Sequence, residues 1–400
     1  MPACPVSPVR NVPLTLERWR AAYPVTVLRS EFLDVLATVP DPRDRRGRRY
    51  SLKALLAIAI LATAAGMSGY AGYATWTATA SEDVLAQLGI RHRRPSEKTF
   101  RTVFARLDAG DLNRRLGTYF TTYAVAQDPN VLVPIALDGK TLRGALRAKA
   151  ASTHLVSVFA HQARLVLGQL AVAAKSNEIP CVRAVLRALP RPVRWLVTVD
   201  AMHTQTATAR LICRTLASHY LMIVKGNQEK LLARITNQPW NQVPVVATDD
   251  TRGHGRIEHR TLQILTATRG IGFPYARQLI RITRQRVITA TGARSTEVLY
   301  AICSVPFEQA KPAQIATWLR AHWGIENSVH WVRDVTFDED RRHARTGNSP
   351  QILATVCNTA INLHRLNGAT NIAAACRATA LTPDRRLDLL NPQKTRPQTC

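Results

Sequence analysis

Two aspartates in this chain each follow a short apolar run. Asp138 comes after Val131–Leu137 and leads into Gly139 and Lys140, while Asp200 comes after Trp195–Val199 and leads into Ala201, Met202 and His203. Both runs have the length and texture of strands buried on both faces. A carboxylate at the carboxyl end of a buried parallel strand lies where open α/β sheets place their ligands. Two such carboxylates on neighbouring strands repel one another and are poorly solvated, which a divalent cation between them relieves. Capping of the following turn is the other use an Asp has at either place.

The stretch Trp318–Asp340 offers a third acidic group. His322, Glu326, His330 and Asp334 recur every four residues and share one face of a helix. Glu326 completes an acidic trio suited to magnesium, which takes hard oxygen ligands and keeps several waters. Asp334 is the alternative third carboxylate. The histidines come with no H-E-x-x-H motif and no cysteine pair, which argues against zinc. Three carboxylates in a basic chain point to two-metal phosphoryl transfer, in which one ion activates water or a 3′-hydroxyl and the other stabilises the leaving oxygen. With no Walker-type phosphate loop in the sequence, no nucleotide cofactor is expected.

The composition agrees with a nucleic-acid substrate. The 400 residues hold 54 Lys and Arg against 27 Asp and Glu, a formal charge of +27. A hydrophobic share of 46% excludes a disordered basic tail, so the charge sits on a folded chain whose natural partner is a polyanion. Only nine of the 54 basic residues are lysine, and arginine suits bidentate phosphate contacts. Seven cysteines, odd in number and never closely paired, read as reduced thiols. The longest apolar stretch, Ala54–Met67, is shorter than the ~20 residues a bilayer requires. A cytoplasmic protein with no membrane partner is expected.

These groups need a scaffold, and the hydrophobic pattern divides it. Residues 1–28 read as a flexible arm and 29–128 as a helical, basic accessory domain that grips DNA, with five arginines in Asp41–Tyr50 and a second basic cluster in Arg91–Arg101. From Val131 the texture changes to strands leading and then alternating with helices, an α/β mixed sheet spanning 129–382. Within it, about 245–305 reads as a small all-β insertion, with strands at Ile257–Ala267, Gln278–Ile288 and Glu297–Ser304. Residues 383–400 read as a disordered tail.

Five stretches together carry a resemblance: Leu137–Gly144, Lys175–Ile179, Val199–Gln205, Val224–Gln228, and His322–Asp340 with Arg345–Asn348. With them the chain resembles DDE transposases of the IS4-like superfamily, most closely the ISAs1 family. The resemblance implies an RNase H-like catalytic core in which Asp138, Asp200 and Glu326 form the catalytic, metal-binding trio for two Mg²⁺ (or Mn²⁺) ions. It implies binding to the terminal inverted repeats of an insertion sequence, strand cleavage and strand transfer into double-stranded DNA, and a homodimer on paired ends. Where the superfamily has a Tyr-x2-Arg-x3-Glu-x6-Lys signature, this chain has Leu319, His322, Glu326 and Arg333. Arg333, with His322 or Arg320, is then expected to contact phosphate. Lys140, Arg143, Lys225, Asn227 and Arg256 are the further DNA-contact candidates, whereas Trp323 and Trp331 are expected in the core.

Overall fold

The computed structural model describes residues 32–91, 93–125, 128, 131–142, 153–172, 178–191, 193–253, 255–341, 346–381 and 387–392. The expected arm, Arg143, Lys175–Asn177, His254 and Arg345 lie outside them. The chain divides into two compact units, one of residues 1–129 with 344–400 and one of residues 130–343.

The first unit is helical. At its centre is Leu52–Ala64, apolar on every side and buried along almost its whole length, with Ser51 capping its start by accepting from the Ala54 amide. Tyr70, Tyr73, Phe100 and Phe104 pack edge to face beside it. Ser349–Leu366 is equally buried and packs on Leu52–Ala64, with His364 Nε2 2.9 Å from the Ala64 carbonyl oxygen. This helix falls within the expected 129–382 span but clusters with the helical unit, because a helix buried on nearly every face needs helical neighbours. Leu387–Leu390 forms a helical turn with Leu390 buried, so the expected disordered tail holds an ordered turn. Among the described residues no single helix is long and apolar enough to cross a membrane.

The second unit is a mixed α/β body around one sheet. Its strands are β1 (Val133–Leu142), β2 (Thr153–Ala160), β3 (Leu165–Val172), β4 (Trp195–Val199), β5 (His219–Val224), β6 (Val245–Gly253), β7 (Arg256–Thr266), β8 (Gln278–Ile288) and β9 (Arg294–Cys303). They lie in the order β3-β2-β1-β4-β5-β9-β8-β7-β6. β1, β4 and β5 run parallel, and every other pairing is antiparallel.

Two features depart from the pattern read in the sequence. First, β1 does not stop at Asp138. Its pairing with β4 ends at Leu137↔Val199, but β2 continues to pair with it as far as Leu142↔Thr153. Second, the β-rich insertion is not a separate body: β9 docks antiparallel on β5 and extends the same sheet. Each of those two strands offers a buried apolar run at this seam, Leu221–Val224 and Ala301–Cys303. The helix Pro312–His322 lies across the joint and buries Ile315, Trp318 and Leu319 against Leu196, Leu221, Leu262 and Ile280.

After that helix, two wide π-type turns, Glu326–His330 and Val332–Thr336, carry the chain on in helical form. Ile325 and Val329 pack with Ala136 of β1, Phe159 of β2 and Val166 of β3, which fixes this segment over the β1–β3 end of the sheet. Truncating Phe159 to Ala should cost about 3–5 kcal/mol in denaturant-induced unfolding, as for other buried aromatic rings. A loss below about 1 kcal/mol would contradict this packing.

Candidate metal centre

Asp138 takes its place from strand register. Paired with Ser157 on one side, it sits just past the last rung shared with β4 on the other, which leaves its carboxylate a third exposed at the sheet's open edge. Burial pushes this carboxyl above its usual range, and the neighbouring charges of Glu326 and Glu178 add to the effect, while His330 opposes it.

Glu326 reaches the same point from above. The packing of Ile325 and Val329 onto the sheet turns the first wide turn so that Glu326 remains largely exposed and His330 is buried. His330 Nδ1 lies 3.4 Å from Asp138 Oδ2 and 3.7 Å from Glu326 Oε2. One ligand atom from each of Asp138, Glu326 and His330 falls within 4.8 Å of the others. The His330 imidazole, with Lys140 contributing, holds the Glu326 carboxyl below its usual range. Two carboxylates and an imidazole at this spacing form a donor set that fits a divalent cation.

Asp200 follows β4, whose parallel pairing with β1 places it one strand from Asp138, roughly 4.8 Å across the sheet. It is not a member of the Asp138–Glu326–His330 group. Its half-exposed carboxylate instead meets Lys225 Nζ at 3.4 Å. The turn that carries it is braced from the end of β5: Asn227 Nδ2 donates to the Ala201 carbonyl at 2.8 Å and Thr204 Oγ1 to the Ile223 carbonyl at 2.5 Å. Asn227 thus positions the Asp200 turn. His322 is buried beneath, its Nδ1 3.1 Å from Thr198 Oγ1, and burial pushes it down to about 4 despite the nearby Asp200.

A second cluster adjoins this one and was not singled out by sequence reasoning. Glu178 meets His154 of β2 at 2.7 Å and His203 of the Asp200 turn at 2.9 Å, and Thr141 Oγ1 lies 2.8 Å from His154 Nδ1. Burial raises the Glu178 carboxyl, but the two imidazoles outweigh it and hold it at about 2. A Cβ at position 139 would collide with His154 Nε2 and Glu178 Oε1, so a larger residue after Asp138 would displace this cluster. The signal was present in part, since Glu178 and His203 fall inside two of the five stretches that carry the resemblance; nothing near His154 marks it.

The expected phosphate contacts fare unevenly. Arg333 is fully buried and bidentate to Glu339, with both contacts at 2.9 Å, so it presents no charge to a ligand. His322 is likewise buried. Lys140 is buried with its Nζ 2.5 Å from Asp334, which accounts for that alternative carboxylate. Arg320 is paired with Asp249, and Arg256 meets Glu258 at 2.9 Å while staying partly exposed. Lys225 keeps an exposed ammonium. Trp323 and Trp331, expected in the core, are each about half exposed, because the apolar face is supplied by Ile325 and Val329 instead.

Asp138 and Asp200 thus follow the parallel-paired stretches of β1 and β4, and the wide turn after the helix Pro312–His322 brings Glu326 over Asp138. Residues 131–363, more than half of the chain, match the family described as Transposase DDE domain, and the chain belongs to that family. Residues 33–120 match a second family, described as DDE_Tnp_1-associated. The chain is 32% identical over 248 residues to YncI of Escherichia coli O157:H7, named as a candidate transposase; the match covers 58% of this chain and 61% of that protein. It is 31% identical over 247 residues to YhhI of Escherichia coli (strain K12), named as an H repeat-associated candidate transposase, covering 57% of this chain and 63% of that protein. The chain thus spans about three fifths of the length of the curated relatives it matches.

The Glu178 cluster sets a pH dependence. A carboxyl held at about 2, against an ordinary 4.5, stabilises the fold fully above about 4.5 and loses that contribution as the pH falls towards about 2. The melting temperature of the wild type should fall across that window, and Glu178→Gln should flatten that part of the acid limb. An identical acid limb in the variant would contradict the assignment.

Proposed function

We propose that this protein is a DNA transposase of the ISAs1 type, which binds the terminal inverted repeats of its own element and cleaves and joins DNA strands at the centre built on Asp138. The observation that carries the reading is the convergence of Asp138 and Glu326 at the edge of β1, with Asp200 one strand away. The first five strands support an RNase H-like core, since an antiparallel β1-β2-β3 meander continues into the parallel β1-β4-β5 set.

In this reading Asp138, Asp200 and Glu326 hold two divalent cations, Mg²⁺ or Mn²⁺. The donor chemistry fits, because hard carboxylate oxygens dominate the set. When bound, the ions supply Lewis-acid activation and charge compensation at the scissile phosphate. The chain's own residues do the rest. His330 holds the two carboxylates of Asp138 and Glu326 towards one point. Asn227 and the Glu178–His203 contact fix the Asp200 turn from opposite sides. Lys225 is exposed, and a backbone phosphate can replace Asp200 as its partner. The net charge of +27 supplies the sequence-independent grip, which the helical unit and Arg256 share. A homodimer follows from the need to process two ends together.

Asp200→Asn should reduce cleavage of end DNA by about 10³-fold or more, since loss of a metal-binding carboxylate removes several kcal/mol of transition-state stabilisation. Band-shift binding to the same DNA should be unchanged. Normal cleavage by the variant would overturn the trio, and cleavage by the wild type with no joined product would make the protein a nuclease. Binding should also weaken with salt at a log–log slope of about −0.9 per neutralised phosphate, and a flat response would remove the electrostatic grip.

A further inference from the structure

We propose that His330 is a direct nitrogen ligand of the cation held between Asp138 and Glu326, so that this position is a two-carboxylate, one-imidazole site rather than an all-carboxylate one. The inference rests on the metal reading above and goes beyond it by assigning a ligand outside the acidic trio.

Three features support it. The first is distance. His330 Nδ1 stands 3.4 Å from Asp138 Oδ2 and 3.7 Å from Glu326 Oε2. Both exceed the roughly 2.7–3.2 Å of an N–H···O hydrogen bond. Two ligand atoms each about 2.1 Å from a shared cation lie about 3.0 Å apart in octahedral and 3.4 Å in tetrahedral coordination. The imidazole therefore closes on neither carboxylate: its 3.4 Å to Asp138 matches a ligand-to-ligand spacing, and its 3.7 Å to Glu326 is a few tenths of an ångström wider.

The second is burial. His330 is 4% exposed, yet its Nε2 has no hydrogen-bond partner among the described residues, and its Nδ1 points into the carboxylate pair. Of its two nitrogens it is Nδ1 that faces the carboxylates. With the proton on Nε2, the Nδ1 lone pair is free to bind a cation.

The third is backbone. Glu326 and His330 are the two ends of a single wide π-type turn, a rare form that recurs at functional sites. That turn sets both side chains over the end of β1 while Val329, between them, is fully buried in the core.

A nitrogen ligand changes which metal is preferred. Imidazole suits the later transition metals, whereas an all-oxygen site suits Mg²⁺ and Mn²⁺. The test uses the full chain loaded with Mn²⁺, pulsed electron paramagnetic resonance to detect ¹⁴N bonded to manganese, and a titration of free Mn²⁺ for affinity. His330→Asn is the informative variant, because its amide can hydrogen-bond to the carboxylates but removes the imidazole; His330→Gln is the second should the first fail to fold. Wild type should show ¹⁴N modulation, and the variant should lose it and bind Mn²⁺ more weakly by at least the roughly 10–100-fold that loss of an outer-shell partner costs, with a smaller change for Mg²⁺. Unchanged Mn²⁺ affinity in the variant would overturn the proposal. So would a wild-type spectrum without nitrogen modulation, since His330 would then only position the carboxylates. Failure of the metal reading itself looks different: wild type would bind no Mn²⁺, or Asp138→Asn and Glu326→Gln would bind it as the wild type does.

Discussion

Like charges brought together at the edge of a buried sheet are the constraint that organises this protein. Two carboxylates 4 Å apart repel by about 4 kcal/mol at the effective dielectric of a protein surface. Asp138, Asp200, Glu326, Glu178 and Asp334 all lie around the Asp138–Lys140 stretch of β1, and each has a basic partner. Asp138 and Glu326 face His330, Asp200 faces Lys225, Asp334 faces Lys140, and Glu178 is held by His154 and His203. Glu178 and Asp334 are closely paired. The contacts of Asp138, Glu326 and Asp200 are longer, from 3.4 to 3.7 Å, so these three are the less tightly neutralised of the five.

The fold holds this arrangement against its own repulsion through apolar contacts. Parallel pairing of β1 with β4 fixes the spacing of the two aspartates, and the strand register fixes which side chains reach the edge. Ile325 and Val329 anchor the Glu326 segment on Ala136, Phe159 and Val166. The extension of the sheet through β9 gives the helix Pro312–His322 a continuous floor, so the residues leading to Glu326 rest on both the first five strands and the insertion. Gly139 allows the Glu178 cluster to press against the backbone next to Asp138.

Much of this was legible in the sequence because it depends on local pattern. The apolar runs before Asp138 and Asp200, and the four-residue spacing around Glu326, report burial and helicity directly. What stayed hidden depends on partners remote in sequence. The run of β1 beyond Asp138 is dictated by β2, and the docking of β9 on β5 by two edges that recognise each other only in the folded sheet. β6, whose sequence is VVATDDTRG, is too polar to read as a strand and owes its pairing to β7. Arg333 stands where the superfamily signature has its Lys, which suggested a phosphate contact; Glu339, six residues on, neutralises it in the interior. The exposure of Trp323 and Trp331 follows from the wide turns, which shift the apolar face to Ile325 and Val329.

The central claim is that Asp138 and Glu326 share a divalent cation. An anomalous-scattering map from crystals grown with Mn²⁺ addresses it most directly. The account predicts a manganese peak about 2.1 Å from carboxylate oxygens of both residues. No peak between them, or manganese bound only elsewhere on the protein, would contradict it.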